Sequence, residues 1–235
     1  MYGADIVREK NKSLRLNRSN LRDIVLLCAV LSSPIFHLTK YELFFSLALL
    51  GAGCLLHIIA KGQLTRNVTL CRKGLYGVVR HPYYLANYVI DSAMCLLSGN
   101  IYLVALYPFF FFWAYGPTFE KEEHYLASEH GYLFREHVDS TPQVFPHGGS
   151  ISGERSLLEG FCRKRVSLKE WARTARFWAS AIFIVLIHEV REEGLRVLHG
   201  INTHALVLLG MVIVLSVTSF LFLSRRSRGD SSVPE

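Results

Sequence analysis

Six apolar stretches of 15 to 20 residues divide this chain of 235 residues, and they constrain its fold more than any other feature. A helix that crosses the hydrocarbon core of a bilayer needs about 20 mainly apolar residues. The chain is 51% hydrophobic and has a mean hydropathy of +0.25. We therefore predict an all-α fold, a polytopic membrane bundle of about six transmembrane helices. The predicted spans are Ile24 to Leu38, Tyr41 to Ala60, Tyr84 to Ser98, Ile101 to Gly116, Arg176 to Val190 and His204 to Leu223.

The connections between the spans predict helical hairpins and a defined orientation. Only Thr39 and Lys40 separate the first two spans, and only Gly99 and Asn100 separate the next two. Such short links force neighbouring helices to run antiparallel. If both termini are cytoplasmic, 23 of the 26 Lys and Arg residues fall on the inner side, as the positive-inside rule expects. We predict a multi-pass protein with both termini in the cytoplasm.

We divide the chain into five segments from these patterns. A basic cytosolic segment (1–23) precedes a membrane core (24–146), which carries the motifs described below. A basic linker and an interfacial helix (147–175) follow, then a C-terminal pair of transmembrane helices (176–223) and a cytosolic tail (224–235). We expect the first helix to be retained, since the apolar stretch after residue 22 has no small-residue cleavage signature.

Several classes of ligand are not expected from the composition. The net charge of +7 comes from basic residues that flank apolar stretches, without the interleaved aromatic residues of single-strand binding proteins, so we expect no nucleic-acid partner. The five cysteines form no C-x-x-C pair, which argues against a zinc site or a disulfide framework. His124, His130 and His137 are six and seven residues apart, a spacing that does not put metal ligands on one helical face. We expect no metal.

Two polar segments stand at the ends of membrane spans. Residues 74–84 read Gly-Leu-Tyr-Gly-Val-Val-Arg-His-Pro-Tyr-Tyr and lead into the third span, and Glu122 and Glu123 follow the fourth. Ionisable groups in a membrane setting are costly unless they are paired or hold something polar. Pro82 suits the first turn of a helix, and a helix start offers N–H groups to an anionic atom. Because one hairpin separates the two segments on the cytoplasmic side, we expect them to face each other across a binding site.

The ordered pattern is G-x-Y-x-x-x-R-H-P-x-Y, a hairpin, E-E-x-x-L, then Gly131 and a closing Pro. From about Lys61 to Pro146 it resembles the isoprenylcysteine carboxyl methyltransferase and phospholipid methyltransferase superfamily. Those proteins are integral membrane enzymes that use S-adenosylmethionine. The resemblance implies a methyltransferase with a cytoplasmic active site that transfers a methyl group to an amphiphilic acceptor, either a membrane lipid or a lipidated substrate.

Site residues follow from the resemblance, position by position. It implies a cofactor pocket lined by Tyr76, His81, Pro82, Tyr83 and Tyr84, with Glu122 on the other side, and catalytic roles for Arg80 and Glu123. The cofactor's chemistry is consistent with these residue types, because carboxylates suit its ammonium or ribose and tyrosine rings suit its adenine or sulfonium.

We also predict two contacts to the acceptor substrate on the third span. Asn87 could supply a hydrogen-bonding group near the acceptor. Asp91 lies about two turns inside the span, where an ionisable side chain is either functional or the partner of a polar residue on a neighbouring helix.

The acceptor and the reaction class remain open at this point. The acceptor could be a lipid amine, a phosphate, or a prenylated cysteine as in the isoprenylcysteine enzymes proper. Thr118 stands where those enzymes place an Arg that contacts the substrate carboxylate, which favours a lipid acceptor. Two other classes are a lipid reductase of the sterol-reductase type, which uses NADPH, and an inactive membrane adaptor that keeps the fold.

Overall fold

The structure, a computed structural model, describes residues 18–65, 69–149, 156–193, 207 and 210–217. Within these residues the chain is entirely helical, without a strand, which confirms the predicted all-α class. The helices are α1 (Arg18–Ser32), α2 (Lys40–Gln63), α3 (Leu75–Val78), α4 (Pro82–Leu97), α5 (Ile101–His130), α6 (Tyr132–Ser140) and α7 (Leu168–Glu193), with a 3₁₀ turn at Arg163–Arg165 before α7. Residues 210–217 are also helical.

Among the described residues, two helices, α2 and α5, are long and apolar enough to cross a bilayer. Helices α1 and α4 are shorter, with 15 and 16 residues. The number of six spans therefore stays a prediction. Most of the predicted span His204 to Leu223 lies outside the described residues, as do residues 1–17 of the N-terminal segment and the tail 224–235.

Local sequence signals set where the helices begin. Thr39 caps α2 through a capping box, in which its hydroxyl accepts from the N–H of Glu42 while the Glu42 carboxylate accepts from the N–H of Thr39; this arrangement satisfies two otherwise unpaired donors. Asn100 caps α5 through its side-chain oxygen, which accepts from the N–H groups of Tyr102 and Leu103. Pro82 is the first residue of α4, as the sequence predicts, because a missing N–H costs nothing there.

Helix α2 packs most extensively on α4, and α4 packs on α5 as the predicted hairpin requires. Gly53 permits the close approach of α2, since a Cβ at that position would lie 2.7 Å from Ile90 Cγ1 and 3.1 Å from Ile90 N. The predicted hairpin of the first two spans is not the main contact of α1. Because α1 ends at Ser32, six residues before the predicted end, a longer connection lets it pack on α4 and α5.

Helix α5 is longer than the predicted span that it contains. It runs without a break from Ile101 to His130, and 30 residues correspond to about 45 Å. The hydrocarbon core is about 30 Å thick. The last turns of α5, which carry Glu122 and Glu123, therefore continue the apolar part of the same helix past Pro117 rather than form a separate segment.

Helix α7 joins two elements that the sequence analysis separates. The predicted interfacial helix and the fifth span form one helix of 26 residues, so the predicted boundary between residues 175 and 176 is not a break. The physical reason is that no Gly or Pro interrupts residues 168–193. Its start, with Glu170 and Arg173, packs against α2 and α4.

Candidate active site

A short extended segment before α4 is fixed by backbone hydrogen bonds to the segment after α6. The N–H of Arg80 donates to the carbonyl of Pro142 at 2.8 Å, and the N–H of His81 donates to the carbonyl of Gln143 at 2.9 Å. These bonds join the two halves of the sequence motif directly. They also place the Arg80 and His81 side chains on the side of α5 that carries the two glutamates.

Glu123 is the centre of the resulting polar cluster. One of its oxygens, Oε1, accepts from Arg80 Nε at 3.1 Å, Arg80 Nη2 at 3.0 Å, His81 Nε2 at 3.2 Å and Gln143 Nε2 at 3.0 Å. Glu123 lies beyond the predicted span, in the extension of α5. Burial would raise the pKa of this carboxyl, but the hydrogen bonds from His81 and Gln143 and the Arg80 guanidinium outweigh it and lower the pKa to about 2. Glu123 is therefore ionised, and its Oε1 is fully engaged.

Arg80 connects three parts of the chain. In addition to Glu123, its Nη1 donates to the backbone carbonyls of Val138 at 3.1 Å and Thr141 at 2.7 Å, at the end of α6. A guanidinium has five N–H donors in a fixed fork, and most of those on Arg80 are used. The contacts of Arg80 and Glu123 hold α4, α5 and α6 in register, and the catalytic roles predicted for both residues stay a prediction.

Glu122 differs from Glu123 in exposure and in its contacts. Its side chain is 44% exposed, against 23% for Glu123. The Tyr84 hydroxyl donates to Glu122 Oε1, and His81 Nδ1 lies 3.7 Å from Glu122 Oε2. A carboxylate held from one side and exposed on the other is suited to bind a cationic group or a pair of hydroxyls.

Aromatic rings form the wall beside this carboxylate. The Tyr84 ring lies 5.3 Å from the rings of Tyr115 and Phe119, and the His81 ring lies 5.3 Å from Phe119. These separations are typical of packed aromatic pairs. Tyr84, Tyr115 and Phe119 are only 2 to 4% exposed, so this packing fixes the Tyr84 hydroxyl against Glu122 and presents no open ring face to a ligand.

Of the predicted site residues, the structure brings together Arg80, His81, Tyr84, Glu122 and Glu123, with Pro82 at the start of the helix that carries them. The hydroxyl groups of the other two predicted tyrosines bond to other parts of the chain. The Tyr76 hydroxyl donates to the carbonyl of Ala60 in α2 at 3.5 Å. The Tyr83 hydroxyl accepts from Arg173 of α7 at 2.7 Å, although its ring packs on the Tyr84 ring at 5.8 Å.

The two predicted substrate residues are both buried on α4. Asp91 is 2% exposed and is bound on both oxygens, because Arg22 Nε donates to Oδ1 at 3.0 Å and the Tyr107 hydroxyl donates to Oδ2 at 3.1 Å. Asp91 is thus the partner of a polar residue on a neighbouring helix, one of the two roles that the sequence allows. Asn87 is 3% exposed, and its Oδ1 has no hydrogen-bond partner among the described residues.

The structure adds residues to the site that sequence reasoning did not select. Gln143 binds Glu123 directly, and Phe119 packs on both His81 and Tyr84. His137 lies buried below Arg80, where burial and the nearby positive charges of Arg72 and Arg80 lower its pKa to about 4. Gln143 could have been found, because it belongs to the tract 141–146 that closes the motif.

Comparisons with protein-family models, with curated proteins and with solved structures give no significant match for this chain. Within the described ranges, no group of three or more His, Cys, Asp or Glu side chains is arranged to hold a metal ion.

Proposed function

We propose that this protein is an integral membrane methyltransferase that uses S-adenosylmethionine and acts on an amphiphilic acceptor. The observation that carries the proposal is the position of Glu122, held by Tyr84 at the start of α4, exposed over 44% of its side chain and bordered by aromatic rings. The ordered motif that supplies these residues is the one that resembles the membrane methyltransferases. In the proposed topology the site and both termini face the cytoplasm.

Membrane insertion is supported by the outer face of α5. Its large exposed side chains recur on one side of the helix, whereas Phe111 on the other side is fully buried. The exposed residues are Tyr102, Leu106, Phe109, Phe112 and Trp113. An apolar patch of this extent is unusual on a soluble monomer. Contact with lipid accounts for it, as it does for the exposed Phe44 and Phe45 of α2.

The residues present fit the chemical groups of the cofactor. Glu122 would bind its ammonium or its ribose hydroxyls, since a carboxylate only accepts hydrogen bonds. Tyr84, held by its packing on Phe119, would orient Glu122 towards the cofactor. Arg80 and Glu123, already bound to each other, would hold His81 and α4 in position rather than touch the reacting atoms.

S-adenosylmethionine supplies a methyl group that is activated by a positively charged sulfur. Transfer of that group needs no covalent nucleophile from the protein. What the protein must supply is alignment of donor and acceptor and exclusion of water, which together can contribute about 7 to 11 kcal/mol to lowering the barrier. Rigid attachment of α4 to α5 through Tyr84 and Glu122, and of His81 to Glu123, is the kind of arrangement that alignment requires.

Transfer of a labelled methyl group in membranes that contain the protein tests the proposal and identifies the acceptor. Membranes are incubated with S-adenosylmethionine carrying an isotopic methyl label, and lipid and protein fractions are separated by chromatography. We expect label in an amphiphilic product with the wild-type protein. We expect its loss with His81→Ala, because His81 is buried beside Glu123. We expect its retention with His124→Ala, because His124 is an exposed histidine on the extension of α5.

Competition separates methyl transfer from the reductase class. Displacement of labelled S-adenosylmethionine from purified protein by S-adenosylhomocysteine, but not by NADPH, agrees with the proposal. Displacement by NADPH, without displacement by S-adenosylhomocysteine, would support the reductase class instead. Binding of neither nucleotide, together with no label in any fraction, would point to an adaptor without catalytic activity.

A further inference from the structure

A groove of about 260 Å³ lies between α7 and the helical residues 210–217. Its lining residues are Arg176, Ala179, Ser180 and Phe183 of α7, with Val212 and Ser216 opposite. Arg176 and Ser216 are exposed and Phe183 is 41% exposed, so the groove is open along one side. Ligand pockets usually hold about 300 to 1,000 Å³. A groove of this size therefore takes part of a larger molecule rather than a whole ligand.

The lining on α7 is polar at one end of the groove and apolar at the other. Arg176 and Ser180 are one turn apart, and Phe183 lies two turns beyond Arg176. The polar end stands near the end of α2, because Glu170 lies 3.7 Å from Lys61 Nζ in the last turn of that helix. Arg176 is six residues further along α7, a rise of about 9 Å. In the proposed topology the groove thus runs from the head groups of the inner leaflet towards the acyl chains.

Three arginines lie near each other where α7 packs on α1, and two of them are paired with a carboxylate. The two ion pairs are Arg22 with Asp91 at 3.0 Å and Arg173 with Glu170 at 2.6 Å. Within the described part of the chain, Arg176 has no hydrogen bond or ion pair. The charges of the other two arginines act on it more strongly than the opposite charge of Asp23 does. Arg176 therefore presents a positive charge at the groove without a bound counter-ion.

A second groove at the other end of α7 differs in this respect. It holds about 430 Å³ and is lined by apolar residues and Arg191. Arg191 is already bound, because its Nη1 donates to the backbone carbonyl of Phe36. A lipid chain can cover either groove, but a guanidinium without a partner among the described residues is found at the Arg176 groove. The difference points to a ligand with a negative charge at that groove.

The chemistry of the groove fits an anionic phospholipid. A guanidinium often binds two phosphate oxygens through parallel hydrogen bonds, and the Ser180 hydroxyl can donate to a third. A head group with an amine is disfavoured, because it would add a positive charge beside three arginines. Phe183 and Val212 offer apolar surface to the first carbons of an acyl chain. Basic residues at the cytoplasmic face of a membrane protein attract the anionic lipids of that leaflet.

We propose that the groove between α7 and residues 210–217 binds one anionic phospholipid, with Arg176 on its phosphate and Phe183 against an acyl chain. The lipid would join α7 to residues 210–217. This site goes beyond the proposed function. It rests on the proposed membrane insertion, but binding to it requires neither S-adenosylmethionine nor methyl transfer, so either proposal can fail without the other.

Native mass spectrometry of the full chain, purified in detergent, tests the site by measuring the affinity of the first bound lipid. The probes are dioleoylphosphatidylglycerol, which is anionic, and dioleoylphosphatidylcholine, which has the same chains and phosphate diester but also a quaternary ammonium. We expect phosphatidylglycerol to bind at least about fivefold more tightly than phosphatidylcholine, the contribution of one basic residue near an anionic lipid.

Two variants with the same substitution assign that preference. Arg176→Gln should bring the ratio of the two affinities close to one. Arg163→Gln removes an equal charge from an exposed arginine of the 3₁₀ turn before α7, outside the groove, and should keep the ratio. Phosphatidylglycerol should also raise the unfolding temperature of the wild-type protein and of Arg163→Gln, but not that of Arg176→Gln.

A third variant tests the groove rather than the charge. Ser216→Trp fills the groove from an exposed position and leaves the net charge as it is. We expect it to weaken the binding of the first phosphatidylglycerol at least about fivefold. Unchanged binding would place the lipid outside the groove.

Three further results would overturn the site. Equal affinities of the two lipids for the wild-type protein would mean that no anion is recognised. A preference that persists in Arg176→Gln would place the anion elsewhere on the protein. An equal loss of preference in Arg176→Gln and Arg163→Gln would mean a general attraction between a basic protein and anionic lipid.

Discussion

Arg22 and Arg80 each bind a carboxylate on a neighbouring helix, but the two pairs differ in what lies beside them. Arg22 and Asp91 join α1 to α4, Tyr107 occupies the second oxygen of Asp91, and Asp91 is 2% exposed. Arg80 and Glu123 stand next to Glu122, which is 44% exposed. The same ion-pair chemistry thus leaves no accessible carboxylate in one region and stands beside an accessible one in the other. An accessible carboxylate beside the pair, rather than the pair itself, marks the candidate site.

The largest loss of stability is expected when the buried pair of Arg22 and Asp91 is broken. Asp91→Ala leaves the Arg22 guanidinium buried against Phe177 without its partner, and loss of one member of a buried ion pair costs about 3 to 5 kcal/mol. We expect a loss of this size in the free energy of unfolding in detergent. The double variant Arg22→Leu, Asp91→Leu should recover much of it, since paired apolar replacements are often tolerated. A loss below about 1 kcal/mol for Asp91→Ala would mean that the pair does not stabilise the packing of α1 on α4.

A smaller loss is expected at the Arg80 pair. Arg80→Lys keeps the charge but removes the fork that reaches Glu123 and the carbonyls at the end of α6. We expect about 1 to 2 kcal/mol of destabilisation, measured by the same unfolding experiment, with a weaker affinity for S-adenosylmethionine because His81 loses its fixed position. Arg135→Lys, at an exposed arginine of α6, serves as the control and should change neither quantity. Equal behaviour of the two variants would contradict a positioning role.

Acid should weaken the region around Arg80 before it protonates Glu123. Because the pKa of His137 is lowered from 6.5 to about 4 in the folded protein, its neutral form is favoured by folding. The stability is therefore present above pH 6.5 and is lost as the pH falls towards 4, by up to about 1.4 kcal/mol per pH unit. Thermal unfolding between pH 7 and pH 4 measures this slope. His137→Gln should flatten it, and an unchanged slope would exclude His137 as its source.

The smallest effect is expected at Tyr84. Tyr84→Phe removes the hydroxyl that donates to Glu122 and keeps the ring contacts with Phe119. One hydrogen bond is worth about 0.5 to 1.5 kcal/mol, so we expect the affinity for S-adenosylmethionine to fall by about two- to twelvefold. Tyr125→Phe is the matched control, since Tyr125 is an exposed tyrosine of α5. An affinity that Tyr84→Phe leaves unchanged would remove the hydroxyl from the site.

The sequence predicts the parts of this structure that depend on local signals. The all-α class, the start of α4 at Pro82 and the hairpin of α4 with α5 follow from hydropathy, proline chemistry and a short turn. The meeting of Arg80 and His81 with Glu123 follows from an ordered motif. These signals lie within a few residues of the feature that they predict, or in a pattern that already joins distant segments.

What the sequence does not predict depends on how the helices pack. Adjacent residues on a helix point about 100° apart, so the hydroxyls of Tyr83 and Tyr84 bond to different helices although the two rings are in contact. Arg22, the partner of Asp91, is 69 residues away in the chain, and no local pattern identifies it. The predicted pairing of the first two spans is wrong for a related reason, because the early end of α1 changes the length of the connection. Side-chain direction and long-range partners require the assembled bundle.

Calorimetric titration of purified protein with S-adenosylmethionine, comparing Glu122→Gln with Glu120→Gln, tests the central claim most directly. Both residues lie on the extension of α5, and Glu120 is exposed. A hydrogen bond to a charged group contributes about 1.5 to 3 kcal/mol, so we predict that Glu122→Gln weakens binding by about twelve- to one-hundred-and-sixty-fold and that Glu120→Gln binds like the wild-type protein. Equal affinities for the wild-type protein and both variants would contradict the account.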